Sequence, residues 1–332
     1  MNLLFLRLLR SSFFLWFVLC PGALPAAPQS PDREPVLAAK PLKPSVKPKA
    51  KTTPKAPAKK AKTPLTPVVP RKPSLARDPY LGAIVVDAAD GRVLFEDEAD
   101  AKGYPASVLK LMLLLMAMEQ IKEGRLSLQD EVTVSAHAVT NEGADLKLRE
   151  GEILKVEDML YALMIHSAND VAIAMAEKLG GSLAGYLEII NRRAGELGML
   201  HSQFFSASGL GPKNPDDPYD ITTARDLSLM CRELLKHPDA LRFTSAREWV
   251  FRPNGGADRI PMDTHNYILD TVKGCDGLKT GYIRVAGYCI AGTAQRKGKR
   301  VIAVLLGATS EKSRNKTVGK LIDKGFAVLA AP

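Results

Sequence analysis

The 332-residue sequence is long enough for one large domain or two small ones, and with 46% hydrophobic and 25% charged residues it has an ordinary globular composition. The net charge of +10 is uneven: residues 1–77 carry 15 Lys and Arg against 2 Asp and Glu, whereas residues 78–332 carry 31 against 34. The basic character therefore belongs to the N-terminal segment, which excludes a folded body that is basic throughout.

The first 27 residues have the order of a secretory signal. Arg7 and Arg10 precede a short apolar stretch, and the small-residue run PGALPAA follows. The stretch is short for a spanning helix, which needs about 20 apolar residues. We predict that residues 1–27 form a signal peptide or an uncleaved anchor, with lipidation at Cys20 as a further option. The protein is then exported to the periplasm or the extracytoplasmic face of the membrane, and nucleic acid is not an expected partner.

Residues 28–77 are rich in proline, lysine and alanine and show no apolar period. Prolines favour extended structure and neighbouring lysines repel one another, so we predict a linker without a fold of its own. Its positive charge leaves two options open. The segment is a solvated spacer, or it is attracted to an anionic membrane or wall surface.

Regular elements begin near Pro79. The run LGAIVVDAADGRVLFE predicts a hairpin around a DG turn, and residues 107–123 predict a helix that is apolar almost all round and therefore buried. Two helical stretches follow, interrupted at HSAND, and GYLEIINRRAGELGM predicts a further amphipathic helix. ITTARDLSLMCRELLKHP predicts another, capped by Thr222 or Thr223.

Strand-like runs return in the C-terminal part of the chain: REWVFRP, DGLKTGY, AGYCIAGTAQ and RVIAVLLGAT. A last helix is predicted at residues 312–329. Strands thus occur at both ends of the domain and helices in its middle. This order predicts an α/β fold in which an antiparallel sheet is closed by both ends of the chain, is flanked by helices and carries an inserted all-helical subdomain.

Ser107 and Lys110 open the buried helix. On a helix, residues three apart share one face, so the lysine can reach the serine hydroxyl. Serine is a poor nucleophile until a base takes its proton. Lysine is such a base only when it is neutral, and both apolar burial and a second cation lower its pKa. A capping serine followed by a surface lysine is the plainer alternative.

Two further short motifs have the same double interpretation. Ser167 and Asn169, where one helix stops and the next begins, can project into one cleft or can simply cap a helix. In DGLKTGY, Lys279 and Thr280 suit a carboxylate, and Gly281 would let a ligand backbone approach a strand closely. The alternative there is an ordinary hairpin strand with an exposed lysine.

The three motifs S-x-x-K, S-x-N and K-T-G occur in this order, about 60 and 110 residues apart. Together with VEDMLYALMIHSANDVAIAMAEKLGG, AGELGMLHSQFFSASGL, TTARDLSL and GCDGLKTGYIRVAGYCIAGTA, they resemble the low-molecular-mass penicillin-binding proteins, the serine-type D-Ala-D-Ala carboxypeptidases of peptidase family S11. The resemblance covers roughly residues 79–328. It implies a β-lactamase/transpeptidase-like fold and a catalytic domain at residues 78–330.

The resemblance also implies residue roles. Ser107 is the expected nucleophile and Lys110 its base, while Ser167 passes the proton toward the leaving amine and Asn169 steadies the chain. The expected substrate-binding residues are Lys279, Thr280, Gly281 and Tyr282. The first two hold the terminal carboxylate, and the backbone N–H groups of Ser107 and Tyr282 form the oxyanion hole. The implied substrates are peptidoglycan stem peptides, with β-lactams as inhibitors and no cofactor.

Other residues near the motifs receive plainer interpretations. We expect His166 to pack and Asp170 to cap the second of the two helices. For Arg284 the default is a surface turn, with contact to a carboxylate as the alternative. Cys231, Cys275 and Cys289 lack the spacing of a metal site, so we predict no metal and expect structural thiols, with one disulfide as the alternative.

Three other functions remain open at this point. A D,D-endopeptidase would cut peptide crosslinks, and relatives of that kind lack the extra C-terminal β-domain of many carboxypeptidases, which we do not expect here either. The DGLKTG motif resembles the carboxypeptidase pattern more closely. A β-lactamase needs a glutamate for its deacylating water, and the only near match, Glu188 to Asn191, lies inside an amphipathic helix. A non-catalytic sensor of wall peptide or β-lactam has no need of Lys110 as a base.

Overall fold

The computed structural model describes residues 74–140, 143–214, 216–252 and 255–331. The signal or anchor predicted at residues 1–27 lies outside the described residues, and so does the predicted linker apart from its last four. Within the described residues, no helix combines the length and the apolar character that crossing a bilayer requires.

The described residues contain nine strands and eight α-helices. The strands are β1 Gly82–Asp87, β2 Val93–Asp97, β3 Glu131–Thr133, β4 Ile153–Lys155, β5 Glu248–Phe251, β6 Ile260–Asp263, β7 Cys275–Ile283, β8 Gly287–Arg296 and β9 Lys299–Ala308. The helices are α1 Lys110–Lys122, α2 Val156–Ile165, α3 Asn169–Gly180, α4 Leu183–Glu196, α5 Ala224–Leu234, α6 Ala240–Thr244, α7 Ile268–Thr271 and α8 Glu311–Ala330.

A five-stranded antiparallel sheet organises the domain, in the order β2-β1-β9-β8-β7. Its strands come from both ends of the described chain, and helices α1 to α7 lie between β2 and β7 together with two short strand pairs, β3–β4 and β5–β6. This arrangement confirms the predicted fold class. The predicted strand REWVFRP also forms, but it pairs with β6 in a separate hairpin. Trp249 of this hairpin stacks on Tyr161 of α2 with ring centroids 3.8 Å apart, so packing holds it on the helical part.

The sheet is buried on both faces. Along β9, Ile302, Val304 and Leu306 belong to the core shared with the helical subdomain. The alternate residues Val301, Ala303 and Leu305 belong to a second core beneath α8. Side chains alternate between the faces of a strand, so this near-continuous apolar run supplies both cores.

Helix α1 lies in the middle of the larger core, as its all-round apolar character predicted. Nine consecutive residues, 110–118, are buried. The helix ends beside Gly124, which has a φ of +72° and therefore continues the chain in a left-handed conformation at little cost. A central helix of this kind is a rigid base for whatever its N-terminal end carries.

The three cysteines in the described residues are buried and free. Gly281, and not Cys275, is the pairing partner of Cys289 between β7 and β8, so the two thiols are out of register as expected. Burial raises the pKa of Cys275 and of Cys289 to about 11, which keeps both thiols protonated near neutral pH.

Candidate active site

Ser107 lies just before α1, although the sequence predicted that this helix begins at Ser107. Residues Ala106–Leu109 form a 3-10 turn, and α1 starts at Lys110. Ala106 has a φ of 49°, an uncommon conformation for a residue with a side chain, and strained residues of this kind gather at functional sites. The tight turn leaves Ser107 half-buried at the mouth of a pocket.

Gly281 packs β7 directly against the Ser107 turn. A Cβ atom at this position would lie 2.8 Å from the backbone nitrogen of Ser107 and 3.0 Å from that of Val108. Real Cβ contacts are not this short, so any side chain would push the strand away. We expected this glycine to admit a ligand backbone. The close neighbour in the structure is the turn of the chain itself, although Gly281 also lines the pocket.

Lys110 is fully buried, and three oxygen atoms surround its amine. Its Nζ lies 3.0 Å from Ser107 Oγ, 2.9 Å from Asn169 Oδ1 and 2.8 Å from the carbonyl oxygen of Ser208. Asn169 and Ser208 offer only acceptors in these contacts, so they take two N–H donors. The third direction points at the Ser107 hydroxyl. A neutral amine has its lone pair left for this direction and can accept the hydroxyl proton.

The pKa of Lys110 lies well below its ordinary value. Burial is the largest cause, the charge of Lys279 is the second, and the carboxylates of Asp220 and Asp170 oppose them. Both expected causes, apolar burial and a nearby cation, are thereby confirmed. The surface-lysine alternative is wrong for this position.

Two buried aspartates hold the loops that enclose Lys110. Asp170 Oδ2 accepts hydrogen bonds from the backbone N–H of Leu146 and Leu148, at 2.9 and 3.2 Å. Asp220 accepts from the backbone N–H and the hydroxyl of Ser206, two residues before the carbonyl that faces Lys110. Burial raises the pKa of both carboxyl groups, and these hydrogen bonds oppose that shift.

Asp170 was expected to cap α3, but it makes only one hydrogen bond in the first turn of that helix, and its other hydrogen bonds hold a neighbouring loop. The N-cap residue is Ala168, which makes no side-chain bond, although Asp170 Oδ1 does accept from Val171 N–H in the first turn. Through its Oδ2 atom, Asp170 instead fixes the loop from Gly143 to Leu148 by accepting two backbone hydrogen bonds. That loop in turn accepts the Asn169 backbone N–H at the carbonyl of Ala144, at 2.7 Å.

The break at HSAND forms as predicted, between the end of α2 at Ile165 and the start of α3 at Asn169. The C-cap of α2 is His166 and the N-cap of α3 is Ala168, so neither Ser167 nor Asn169 takes a cap position. Ser167 has a φ of 65° and is buried in the pocket wall. Asn169 contacts Lys110 directly. His166, which was expected to pack, lines the pocket instead, with its ring 6.0 Å from that of His265.

Lys279 and Thr280 lie on β7, the edge strand of the sheet, and both are buried in the pocket. Lys279 Nζ donates to the Thr280 carbonyl at 3.2 Å. Burial and, second, the charge of Arg314 lower the pKa of Lys279 to about 7. Since an anion between two buried cations would favour their charged forms, the arrangement suits a carboxylate.

Arg314 was missed by the sequence reasoning. It projects from α8, is 3% exposed and pairs with Glu311 at 3.0 Å. Burial lowers its pKa, and Glu311 opposes this shift. No motif surrounds it in the sequence. Arg284, for which the sequence favoured a surface turn over contact with a carboxylate, lies exposed in the β7–β8 turn.

The pocket has a volume of about 340 Å³ and brings the predicted residues together with several unpredicted ones. Its lining is Ser107, Ala144, His166, Ser167, His265, Tyr267, Lys279, Thr280, Gly281, Tyr282, Tyr288, Glu311 and Arg314. Tyr282 is 51% exposed and its ring packs on that of Tyr288, with centroids 4.3 Å apart. Lys110 and Asn169 lie just behind Ser107. All eight predicted site residues therefore meet in one place.

The described residues provide neither a metal site nor a β-lactamase glutamate at this pocket. Among the described residues, no group of three His, Cys, Asp or Glu side chains is placed to hold a metal ion. Glu188, the only candidate for a β-lactamase glutamate, is exposed on α4 and does not line the pocket. Its partner in the motif, Asn191, bonds the backbone of Phe204 instead.

Comparison with known proteins agrees with this geometry. The chain is 33% identical over 245 residues to D-alanyl-D-alanine carboxypeptidase DacF of Bacillus subtilis, covering 74% of this chain and 61% of the relative. The chain spans about three fifths of the length of the first curated relatives that it matches.

Solved structures show the same fold. Penicillin-binding protein D2 of Listeria monocytogenes, in its ampicillin-bound form, is 32% identical with a TM-score of 0.63, covering 75% of this chain and 97% of that one. The D,D-transpeptidase of Streptomyces K15 is 26% identical with a TM-score of 0.68, covering 77% and 100%. The sequence model of Peptidase_S11, D-alanyl-D-alanine carboxypeptidase, matches residues 79–310. The chain therefore belongs to the D-alanyl-D-alanine carboxypeptidase family S11, the penicillin-binding proteins of low molecular mass.

Proposed function

We propose that this protein is a serine-type D-Ala-D-Ala carboxypeptidase, which removes the terminal D-alanine from peptidoglycan stem peptides and is inhibited by β-lactams. The observation that carries the proposal is the 3.0 Å contact between Ser107 Oγ and the Nζ of Lys110, a buried amine with a strongly lowered pKa. A serine paired with a neutral base can act as a nucleophile. The catalytic domain that we propose is residues 78–330.

In the proposed acylation step, Ser107 Oγ gives its proton to Lys110 and attacks the carbonyl carbon of the penultimate D-alanine. The C–N bond then breaks, and the leaving amine takes a proton that Ser167 relays from Lys110. The products of this step are free D-alanine and an ester on Ser107. Backbone N–H groups of Ser107 and Tyr282 stabilise the oxyanion, and such donors are worth roughly 2.7–4 kcal/mol each.

In the proposed deacylation step, a water molecule gives a proton to neutral Lys110 and attacks the ester carbonyl. The ester bond breaks, Lys110 returns the proton to Ser107 Oγ, and the shortened peptide leaves as a carboxylate after its acid proton is lost to solvent. Throughout the cycle, Asn169 and the Ser208 carbonyl keep the amine of Lys110 aimed at the reacting atoms. This role is supported by their distances of 2.9 and 2.8 Å.

The substrate's terminal carboxylate is proposed to lie against Lys279 and Thr280. A pair of cations, Lys279 and Arg314, supports this placement, because Glu311 is the single acidic side chain among the described residues that line the pocket. Carboxylate binding would return full charge to Lys279. The specificity for a peptide with a free C-terminus follows from this requirement for a negative charge.

Comparison favours this activity over the alternatives. The curated relatives are named D-alanyl-D-alanine carboxypeptidases, and a 32% identical relative was solved with ampicillin bound. No observation in the described residues gives an endopeptidase, a β-lactamase or a sensor comparable support. The secretion-like order of residues 1–27 supports an extracytoplasmic location, and the basic residues 28–77 support a tether that is attracted to an anionic surface.

The test uses penicillin and a soluble peptide ending in D-Ala-D-Ala. We expect one penicillin adduct by intact-protein mass spectrometry, located on the peptide that contains Ser107, and release of free D-alanine from the substrate. Ser107→Ala should abolish both. An adduct that persists in the variant, or a wild-type protein that releases no D-alanine, would refute the proposal.

A further inference from the structure

A second concavity adjoins the candidate active site. This groove, the α8 groove, lies between α8 and the segment Tyr267–Lys273 and has a volume of about 840 Å³. Tyr267 and Glu311 line both the groove and the active-site pocket. The groove therefore continues from the pocket, past the proposed carboxylate site, along the outer face of α8.

The α8 groove is basic, although residues 78–332 carry three more acidic than basic side chains. Five of its lining residues are basic, namely Lys273, Arg296, Lys312, Lys316 and Lys320, and two are acidic. Both acidic side chains are already in ion pairs, Glu311 with Arg314 and Asp323 with Arg296. In the part of the chain that the structure describes, none of the four groove lysines pairs with a carboxylate.

The lysines of α8 are regularly spaced. Lys312, Lys316 and Lys320 are exposed and follow one another at intervals of four residues, about 6 Å of helix rise each. Like charges at this spacing repel one another on a helix. An anionic chain lying along the groove would relieve this repulsion. A concave site suits such a chain better than a flat membrane surface.

We propose that the α8 groove binds peptidoglycan through the carboxylates of stem peptides that neighbour the one held in the pocket. The inference rests on the proposed function, because a polymer whose stems end in carboxylates presents many anionic groups together. Once one stem occupies the pocket, its neighbours are held at high effective concentration beside the groove. The groove would therefore act on the polymer and not on a single free peptide.

The test compares two triple variants of the full chain. The groove variant is Lys312→Gln, Lys316→Gln and Lys320→Gln. The control is Lys102→Gln, Lys122→Gln and Lys178→Gln, which removes the same charge from exposed lysines outside the groove. Residues 28–77 are unchanged in both, so any wall binding by that segment cancels. Equal thermal unfolding midpoints establish that both variants are folded.

On a soluble D-Ala-D-Ala peptide, both variants should match the wild-type kcat/KM. On sacculi stripped of phosphate-containing polymers, the KM for D-alanine release should rise about tenfold in the groove variant. The reason is that three exposed ion pairs between groove lysines and stem-peptide carboxylates are lost. The control should stay at the wild-type value. Added salt should narrow the difference, because it screens exposed charges.

Equal KM values for the two variants on stripped sacculi would overturn the proposal. A difference that exists only on sacculi that retain phosphodiester chains would also overturn it and assign the groove to another polymer. Co-sedimentation with sacculi, measured alongside turnover, separates the two proposals. If the wild type released no D-alanine, the proposed function would fail, while weaker sedimentation of the groove variant than of the control would still support the groove.

Discussion

The candidate active site and the α8 groove use the same residue type in opposite surroundings. At the site, Lys110 and Lys279 are buried, and both pKa values are lowered, chiefly by burial. Along the groove, Lys312, Lys316 and Lys320 are exposed. A lysine deprived of water can lose its proton, so it can serve as a base or hold its charge beside a bound anion, whereas a lysine in water keeps its charge and can only attract anions. Position in the fold, and not residue type, decides the chemistry.

The largest effect is expected where a buried lysine is replaced by a permanent cation. Lys110→Arg keeps the positive charge but cannot lose a proton near neutral pH. We expect the rate of acylation by penicillin to fall by roughly 10²–10⁴-fold, the usual contribution of a general base. Stopped-flow acylation measures this rate. The matched exposed substitution, Lys316→Arg, should change nothing, and an active Lys110→Arg enzyme would contradict the base assignment.

Lys279 tests the opposite requirement, since its proposed role needs a charge and not a lone pair. Lys279→Ala should lower kcat/KM on a D-Ala-D-Ala peptide by roughly 10–100-fold, the value of about 1.5–3 kcal/mol for a charged hydrogen bond. Lys279→Arg should lose much less. Steady-state kinetics of the two variants decides the question, because equal losses would mean that no carboxylate binds there.

Aspartates allow the same comparison between buried and exposed positions. Asp170→Asn places an amide where two backbone N–H groups now donate to a carboxylate, so the loop from Gly143 to Leu148 should loosen. We expect a loss of about 1–3 kcal/mol in the free energy of unfolding, with slower acylation because Asn169 is held by that loop. Asp323→Asn, which breaks an exposed pair with Arg296, should cost about 0–1 kcal/mol. Equal effects in chemical denaturation would refute the distinction.

The smallest expected effect is a shift in the pH profile of kcat/KM. Lys110 must be neutral, so activity should fall as pH decreases through its lowered pKa. Lys279 must be charged, so activity should also fall as pH rises past its pKa of about 7 in the free enzyme. Lys279→Arg should move the alkaline limb to higher pH, whereas Lys320→Arg should leave it in place. An unmoved limb in Lys279→Arg would show that another group titrates there.

Short-range relationships were predictable. Ser107 and Lys110 are three residues apart at the head of an apolar helix, and a single 3-10 turn at that spacing brings their side chains together. Thr223 caps α5 by accepting from Asp226 N–H, one of the two residues predicted for this role. The break at HSAND also forms as expected. In each case, residues within one turn of one another determine the geometry, so a local pattern contains the information.

Long-range relationships were not predictable in this way. In the sequence, Arg314 is one of several charged residues on an amphipathic helix. Only the packing of α8 against the sheet brings its charge close to Lys279. The Ser208 carbonyl, the loop held by Asp170 and the contact of Gly281 with the Ser107 turn have no sequence pattern, because backbone atoms from distant segments make them.

The sequence by itself therefore determined the fold class, the order of its elements and the eight residues of the candidate site. It did so through hydrophobic periodicity and through the family resemblance that the three short motifs carry, and both depend on neighbours along the chain. Only the tertiary structure decided which lysines lose their water, which loops hold Asn169 and the Ser208 carbonyl beside Lys110, and where the α8 groove runs. Burial and electrostatic coupling depend on segments that are distant in the chain, and they exist only after those segments have packed together.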